Sequence, residues 1–225
     1  MPKIRMSSWR HKPAVTAEDA ISMAASLSNG ILHIGAHRGQ ESSSYARLEK
    51  PVIWIEAIPD IARSLSEKLR NVPSQISYQA CLSDSDDDQI EFNVSSNDGQ
   101  SSSILPFGKA VTGKHGPYRN LKLETTTRVA LKTQTLDSFI HNIDASVCQF
   151  NHWVIDVQGA ELLVLKGARR SLQDCRSLVV ETSTLELYQD GATFREVEGF
   201  LNARGFRALW SCHGHMDVLF IRDRA

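Results

Sequence analysis

Solid apolar runs and helix-spaced stripes take turns along this chain, the pattern of a mostly parallel sheet wrapped by helices. Thr16 stands as an N-cap ahead of an acidic first turn, and the short helix it starts ends near Leu27, before Asn29-Gly30. Ile31-Leu32-His33-Ile34 and Val52-Ile53-Trp54-Ile55-Glu56 read as two buried strands, with residues 40–49 as the helix between them. Pro59 opens a helix with Ile61, Leu65 and Leu69 at fourfold spacing, which is one buried stripe. Residues 76–81 follow as a third strand.

The pattern then loosens. Ser83-Asp84-Ser85-Asp86-Asp87-Asp88 lacks the glycine and distal glutamate of a calcium loop and reads as a solvated turn. Residues 89–94 alternate as a strand, and 95–103 form a small-residue loop suited to covering a ligand. Residues 106–120, rich in Gly and Pro, read as irregular. Residues 125–135 suit an extended strand ahead of a short helix at 136–140. The run Trp153-Val154-Ile155-Asp156 is a buried strand, and a helix follows it with Leu162, Leu165, Ala168 and Leu172 on one side. Residues 178–181 are a further strand ending on Glu181. A helix over 194–203 stops at Gly205, and 206–210 with 217–221 form an antiparallel pair. The expected fold is therefore α/β: a mostly parallel seven-stranded sheet, helices on both faces and a C-terminal antiparallel hairpin.

Composition narrows the setting. A chain of 225 residues is long enough for one α/β domain, placed here at 30–225 behind an N-terminal arm and short helix at 1–29. Lys and Arg number 25 against 26 Asp and Glu, a balance that suggests neither a nucleic-acid partner nor a basic membrane face. Cys81, Cys148, Cys175 and Cys212 are scattered without a C-x-x-C pair, which fits a reduced compartment. No signal-peptide or membrane-length apolar run is present, so a soluble cytoplasmic protein is expected.

The chemistry collects around the first two strands. Gly35 and Gly39 fall in the turn after the first strand, and Glu56 ends the second strand about twenty residues later. Strand, glycine turn, helix, strand and acid form the order of a nucleotide-binding βαβ unit, in which the acid accepts ribose hydroxyls. The spacing Gly35-x-x-x-Gly39 is not the G-x-G-x-x-G of a dinucleotide site. Set against the acid-x-G-x-G-x-G turn of S-adenosylmethionine-dependent methyltransferases, the four positions are His33, Gly35, His37 and Gly39. A structural βα turn remains the plain alternative. Glu56, Asp156 and Glu181 all fall at the C-terminal ends of expected parallel strands, the edge where open α/β sheets bind ligands.

Several segments together resemble the FkbM-type S-adenosylmethionine-dependent methyltransferases. They are Ile34-Gly35-Ala36-His37-x-Gly39-Gln40-Glu41, Trp54-Ile55-Glu56-Ala57, Asn97-x-x-x-Ser101-Ser102 and Thr135-Leu136-Asp137. Asp156-Val157-Gln158-Gly159-Ala160-Glu161 through Leu165-Lys166-Gly167-Ala168, then Glu181 and 217–222, complete the match. The resemblance runs from Ile31 to Ile221. It implies a Rossmann-like class I methyltransferase fold, S-adenosylmethionine as cofactor, and methyl transfer to a hydroxyl of a sugar, glycan or natural product.

The same resemblance assigns roles. Gly35, Ala36, His37 and Gly39 would line the methionine half of the cofactor, with His33 at the usual position of an aspartate. Glu56 would hold the ribose hydroxyls, and Ala57, Ala80 and Leu82 would border the adenine. Ser102 would join the cofactor site, and Asp156 would face the reactive end. Gln158 stands in place of a common glutamate.

An aliphatic hydroxyl is a poor nucleophile at neutral pH, so a base is expected beside it. Asp156, Glu181, His37 and His215 are the candidates, and Asp156, Glu181 and His215 are taken as the catalytic set. Asp156 as a helix cap, and Glu181 in a structural ion pair, are the plain alternatives. Cys212, His213 and His215 lack a clear fourth ligand, so no metal site is assigned. Two other functions stay open: a non-catalytic S-adenosylmethionine-binding member, and a nicotinamide-dependent oxidoreductase.

Overall fold

The computed structural model describes residues 16–143 and 149–223. Residues 1–15 of the expected arm and Cys148 lie outside the described residues.

Helix α1 (Ala17–Ser26) is closed at its start by a capping box between Thr16 and Asp19, and its Ala25 packs against Ile31 and Trp54. Strands β1 (Ile31–Ile34) and β2 (Val52–Glu56) are buried at every position, so their uninterrupted apolar runs need no alternation. Between them lies α2 (Ser42–Leu48), shorter than the expected 40–49 because Gln40 and Glu41 form the entering turn. Helix α3 (Pro59–Leu69) has proline at its first turn and buries Ile61, Ala62, Leu65 and Leu69 along one face.

The expected third strand is where the structure departs most. The chain pairs as β3 (Gln75–Gln79) on the edge of the main sheet, then turns away at Ala80 and continues as β4 (Cys81–Ser83) in a different sheet. With β5 (Gln89–Ser95) and β6 (Thr125–Thr135), β4 forms a three-stranded sheet in the order β4-β6-β5. β4 runs parallel to β6 and β5 antiparallel to it. Phe92, Leu131 and Cys81 of this sheet pack on Ile58 and Ile61, which fastens it beside the end of β2.

Within the acidic turn at 83–88, Asp86 accepts the Thr135 N–H at 2.7 Å and the Ser138 hydroxyl at 2.8 Å. It thereby ties the turn to the start of α5 (Leu136–Asn142). Between β5 and β6 the chain makes the 95–103 loop and a compact stretch carrying a single helical turn, α4 (Lys109–Thr112).

Strand β7 (His152–Ile155) leads into α6 (Glu161–Lys166), and β8 (Ser177–Ser183) into α7 (Phe194–Asn202). The single helix expected after Asp156 is broken: α6 stops at Gly167, and a separate 3-10 turn at Ser171–Gln173 carries Leu172. A Cβ on Gly167 would lie 2.1 Å from the Ser83 carbonyl, so the close approach of the end of α6 to β4 demands glycine. Strands β9 (Phe206–Ala208) and β10 (His215–Arg222) pair antiparallel and finish the main sheet.

The main sheet has seven strands in the order β3-β2-β1-β7-β8-β10-β9, with β10 antiparallel to both neighbours. This is the class I methyltransferase fold. The order reverses between β1 and β7, which opens a crevice at the C-terminal strand ends. Among the described residues, no helix is long and apolar enough to cross a membrane.

Candidate active site

Strand register brings the carboxylates together. Ile34 pairs with Ile55 on one side and Ile155 on the other, and Ile155 pairs with Val180. The next residues along are Gly35, Glu56, Asp156 and Glu181, so one row across four strands carries all three acids. Asp217 pairs with Glu181 from the antiparallel β10, and His215 lies two residues away on the same face. A cavity of about 300 Å³ opens above this row.

The first-strand turn forms one wall, through Gly35, Ala36, His37 and the buried edge of His33. Gly35 has φ +85°, and a Cβ there would lie 1.7 Å from the Asp156 carbonyl. Its glycine is set by the crossing of β1 and β7 rather than by a ligand. Gly39 does not line the cavity; it sits behind the turn at φ +60°, where a Cβ would strike Leu65 at 2.6 Å. Packing against Leu65 by itself favours glycine here.

Glu56 is buried, and each of its oxygens accepts one backbone N–H at 2.8 Å: Oε2 from His37 and Oε1 from Ile58. Burial raises its carboxyl above the ordinary range against the pull of those two N–H groups. Each oxygen keeps a second lone pair. Beyond it lies an apolar slot of Ala57, Ile58, Ala80, Leu82 and Phe92, with the Cys81 thiol pushed up to about 12 by burial and by Glu56.

Over the slot runs the 95–103 loop, with Ser102 facing the cavity. Ser102 Oγ accepts the Ser95 N–H at 3.0 Å, which holds the loop's own turn. Two contacts latch the loop to the β1–α2 turn. The His37 ring bonds the Asp98 carbonyl at 2.8 Å, and Arg38 makes a two-pronged pair with the Asp98 carboxylate at 3.0 and 3.2 Å.

The far end holds Asp156, Gln158, Glu181 and His215. Gln158 adopts φ +56°, and its Nε2 donates to Asp156 Oδ1 at 2.6 Å and to Glu181 Oε2. Its Oε1 faces the Tyr188 hydroxyl at 2.7 Å, and that hydroxyl lies 3.1 Å from the Ser101 carbonyl. The amide thus orders both acids and links them to the covering loop. His215 Nε2 pairs with Glu181 Oε1 at 3.2 Å.

The two carboxyls are driven apart. Burial and the neighbouring Glu181 raise Asp156 well above the ordinary range, so it keeps its proton more tightly. Burial works to raise Glu181 as well, but the hydrogen bond and charge of His215, together with the bonds from Asp156 and Gln158, bring it down. The bond with Glu181 raises His215. Of the two acids Asp156 is the one whose proton is favoured, while His215 favours the ionised form of Glu181. Cys212 turns its thiol to the Thr182 and Gly214 carbonyls at 3.5 and 3.6 Å, and among the described residues no group of three or more His, Cys, Asp or Glu is arranged to hold a metal.

A model of the methyltransferase FkbM domain matches residues 33–208. The chain belongs to that family. No curated protein matches the sequence. Among solved structures, this FkbM domain is similar to Aquifex aeolicus SAM-dependent methyltransferase at 10% identity, over 91% of this chain and 86% of that one, with a TM-score of 0.48. The Bacillus cereus O-methyltransferase in complex with SAH is 14% identical over 93% and 81% of the two chains, with a TM-score of 0.43. Aeropyrum pernix fibrillarin with natively bound S-adenosyl-L-methionine is 14% identical over 91% and 74%, with a TM-score of 0.44.

Sequence reasoning missed Tyr188, which sits in a loop with no motif around it, and Asp98, an unspecified position within the Asn97-x-x-x-Ser101-Ser102 motif. It also passed over Glu161 as a site residue. That side chain is buried, and its Oε1 accepts the Val157 and Gly159 N–H groups at 3.2 and 3.0 Å, holding the turn that presents Gln158. Burial chiefly, helped by Glu181, raises its carboxyl to about 7. A raised acid stabilises the fold fully below its unfolded value of 4.5, and this contribution is lost as pH rises through 7. Glu161→Gln keeps the accepting oxygen. Its stability relative to the wild type is expected to improve by about 1–3 kcal/mol between pH 5 and 8, measured by urea unfolding at each pH. A constant difference would show that Glu161 is already ionised in the folded protein across this range.

Proposed function

We propose that this FkbM domain transfers the methyl group of S-adenosylmethionine to a hydroxyl oxygen of a sugar, glycan or natural product. The observation that carries this reading is the division of one cavity into two ends. Glu56 has spare lone pairs for two ribose hydroxyls beside an apolar slot suited to adenine. The Glu181–His215 pair stands at the other end, where an acceptor hydroxyl must lose its proton. The bound cofactor would supply an activated methyl on a sulfonium. The residues present fit it: the turn at Gly35–His37 borders the methionine half, and the acidic far end suits a cation. Tyr188 and the latched loop hold the cover, which limits water.

On the same reading residues 30–225 form the catalytic domain, 1–29 precede it, and the chain works in the cytoplasm on a small molecule or glycan, not on nucleic acid. The near balance of charges and the scattered cysteines support this setting. Titration calorimetry is expected to show binding of S-adenosylmethionine and its demethylated product. Glu56→Ala is expected to weaken that binding by about 1–3 kcal/mol, because buried hydroxyls lose a charged acceptor. Binding of NAD without any response to S-adenosylmethionine would overturn the proposal.

A further inference from the structure

The stretch from Ile104 to Leu123 packs beside the far end of the cavity, with Ile104 in the lining, and its charge is opposite to that of the chamber. Tyr118 meets the His215 ring edge-on, with centroids 6.5 Å apart. Phe107 stacks on Tyr188 at 5.4 Å, and Tyr188 reaches Gln158. Below this cover stand Asp156, Glu161, Glu181 and Asp217. The cover itself carries Lys109, Lys114, Arg119 and Lys122, with no Asp or Glu anywhere from Gly99 to Leu123.

These four cations share one small unit. The Gly113 N–H bonds the Lys109 carbonyl at 2.9 Å, the Tyr118 N–H bonds the Ala110 carbonyl at 3.0 Å, and Arg119 Nη1 bonds the Lys114 carbonyl at 3.0 Å. All four side chains are exposed, and none has a carboxylate partner among the described residues. What sets these four apart is that the segment carrying them holds no acid of its own, whereas cations such as Arg38, Arg128 and Lys132 sit beside one. The excess is local, since the whole chain has a net charge of −1. A cluster of unpaired cations over an acidic chamber attracts an anion to the cover and repels it from the floor.

We propose that the methyl acceptor carries a phosphate-type oxyanion, held by Lys109, Lys114, Arg119 and Lys122, while its hydroxyl points down to Glu181 and His215. This rests on the methyl-transfer reading and adds the acceptor's charge class to it. The anion fixes which end of the acceptor enters: the charged end stays at the cover and the neutral hydroxyl end meets the acids.

The test uses inorganic pyrophosphate as the probe, titrated into the full chain in the presence of S-adenosylhomocysteine. Wild type is expected to bind it saturably and more weakly as salt rises. The quadruple variant K109S/K114S/R119S/K122S is expected to lose about tenfold or more in affinity. Single variants at each position guard against misfolding of the quadruple. In turnover, phosphorylated members of matched pairs, such as glycerol 3-phosphate against glycerol, are expected to be preferred. Absence of pyrophosphate binding, or equal binding by the quadruple variant, overturns the proposal. So does charge-dependent binding to phosphatidylglycerol vesicles without affinity for pyrophosphate, which would assign the cations to a membrane surface. Calorimetry with S-adenosylmethionine on the same samples separates the two failures: a wild type that ignores the cofactor sinks the methyl-transfer reading itself.

Discussion

Glu181→Gln is expected to lower the methyl-transfer rate by about 10²–10⁴-fold, the range typical of a lost general base, and to change cofactor affinity by less than about tenfold. The substitution keeps the shape of the side chain and removes the charge that His215 Nε2 meets at 3.2 Å. Without that charge His215 loses what raises its affinity for a proton, and the pair can no longer take the acceptor's proton as a unit. His215→Asn is expected to cost a similar factor, and the double variant little more than either single. Rates that multiply across the two positions would show that they act separately. Asp156→Asn gives the contrast: if Asp156 works as a donor, the amide still donates to Glu181 and the rate falls far less than for Glu181→Gln.

That assignment marks the boundary of what the sequence could show. Solid apolar runs identified β1, β2 and β7, and an acid closing β2, following β7 and set within β8 pointed to one rim. Strand pairing then aligned those acids, because Ile34, Ile55, Ile155 and Val180 share one row. What stayed hidden depends on distant contacts. Nothing in residues 75–83 signals that the chain leaves one sheet for another at Ala80, since no glycine or proline stands there and the partner strand β6 lies some fifty residues on. The opposite shifts of Asp156 and Glu181 follow from burial and from His215, which reaches Glu181 only when β8 and β10 pair. Gly35 and Gly39 looked like ligand contacts, yet their nearest neighbours are Asp156 and Leu65 of the protein itself.

The position that departs most from the methyltransferase turn, His33, leads to the last prediction. A buried aspartate there would put a charge beside the cofactor; the imidazole does not. His33 stacks on Trp54 at 4.7 Å and has the Tyr45 hydroxyl 3.2 Å from its Nδ1. Burial first, and the nearby His152 second, lower it from 6.5 to about 3, so it stays neutral across the physiological range and cannot act as the cofactor-sensing switch that an exposed histidine could be. Its effect is on stability instead. A lowered histidine contributes fully above its unfolded value of 6.5, and this is lost as pH falls towards 3. The shift corresponds to about 5 kcal/mol in all, of which about 3 kcal/mol is lost by pH 4.5. His33→Phe keeps a ring against Trp54 and has no proton to bind. At pH 7 it is expected to be less stable by about 1 kcal/mol for the lost Tyr45 bond. By pH 4.5 the order is expected to reverse, with the variant ahead by about 2 kcal/mol in urea unfolding. Should the larger ring crowd Tyr45, both values shift down together and the difference between the two pH values is unchanged. Parallel stability curves for the two proteins would mean that His33 already accepts a proton in the folded state, and the neutral turn would have to be abandoned.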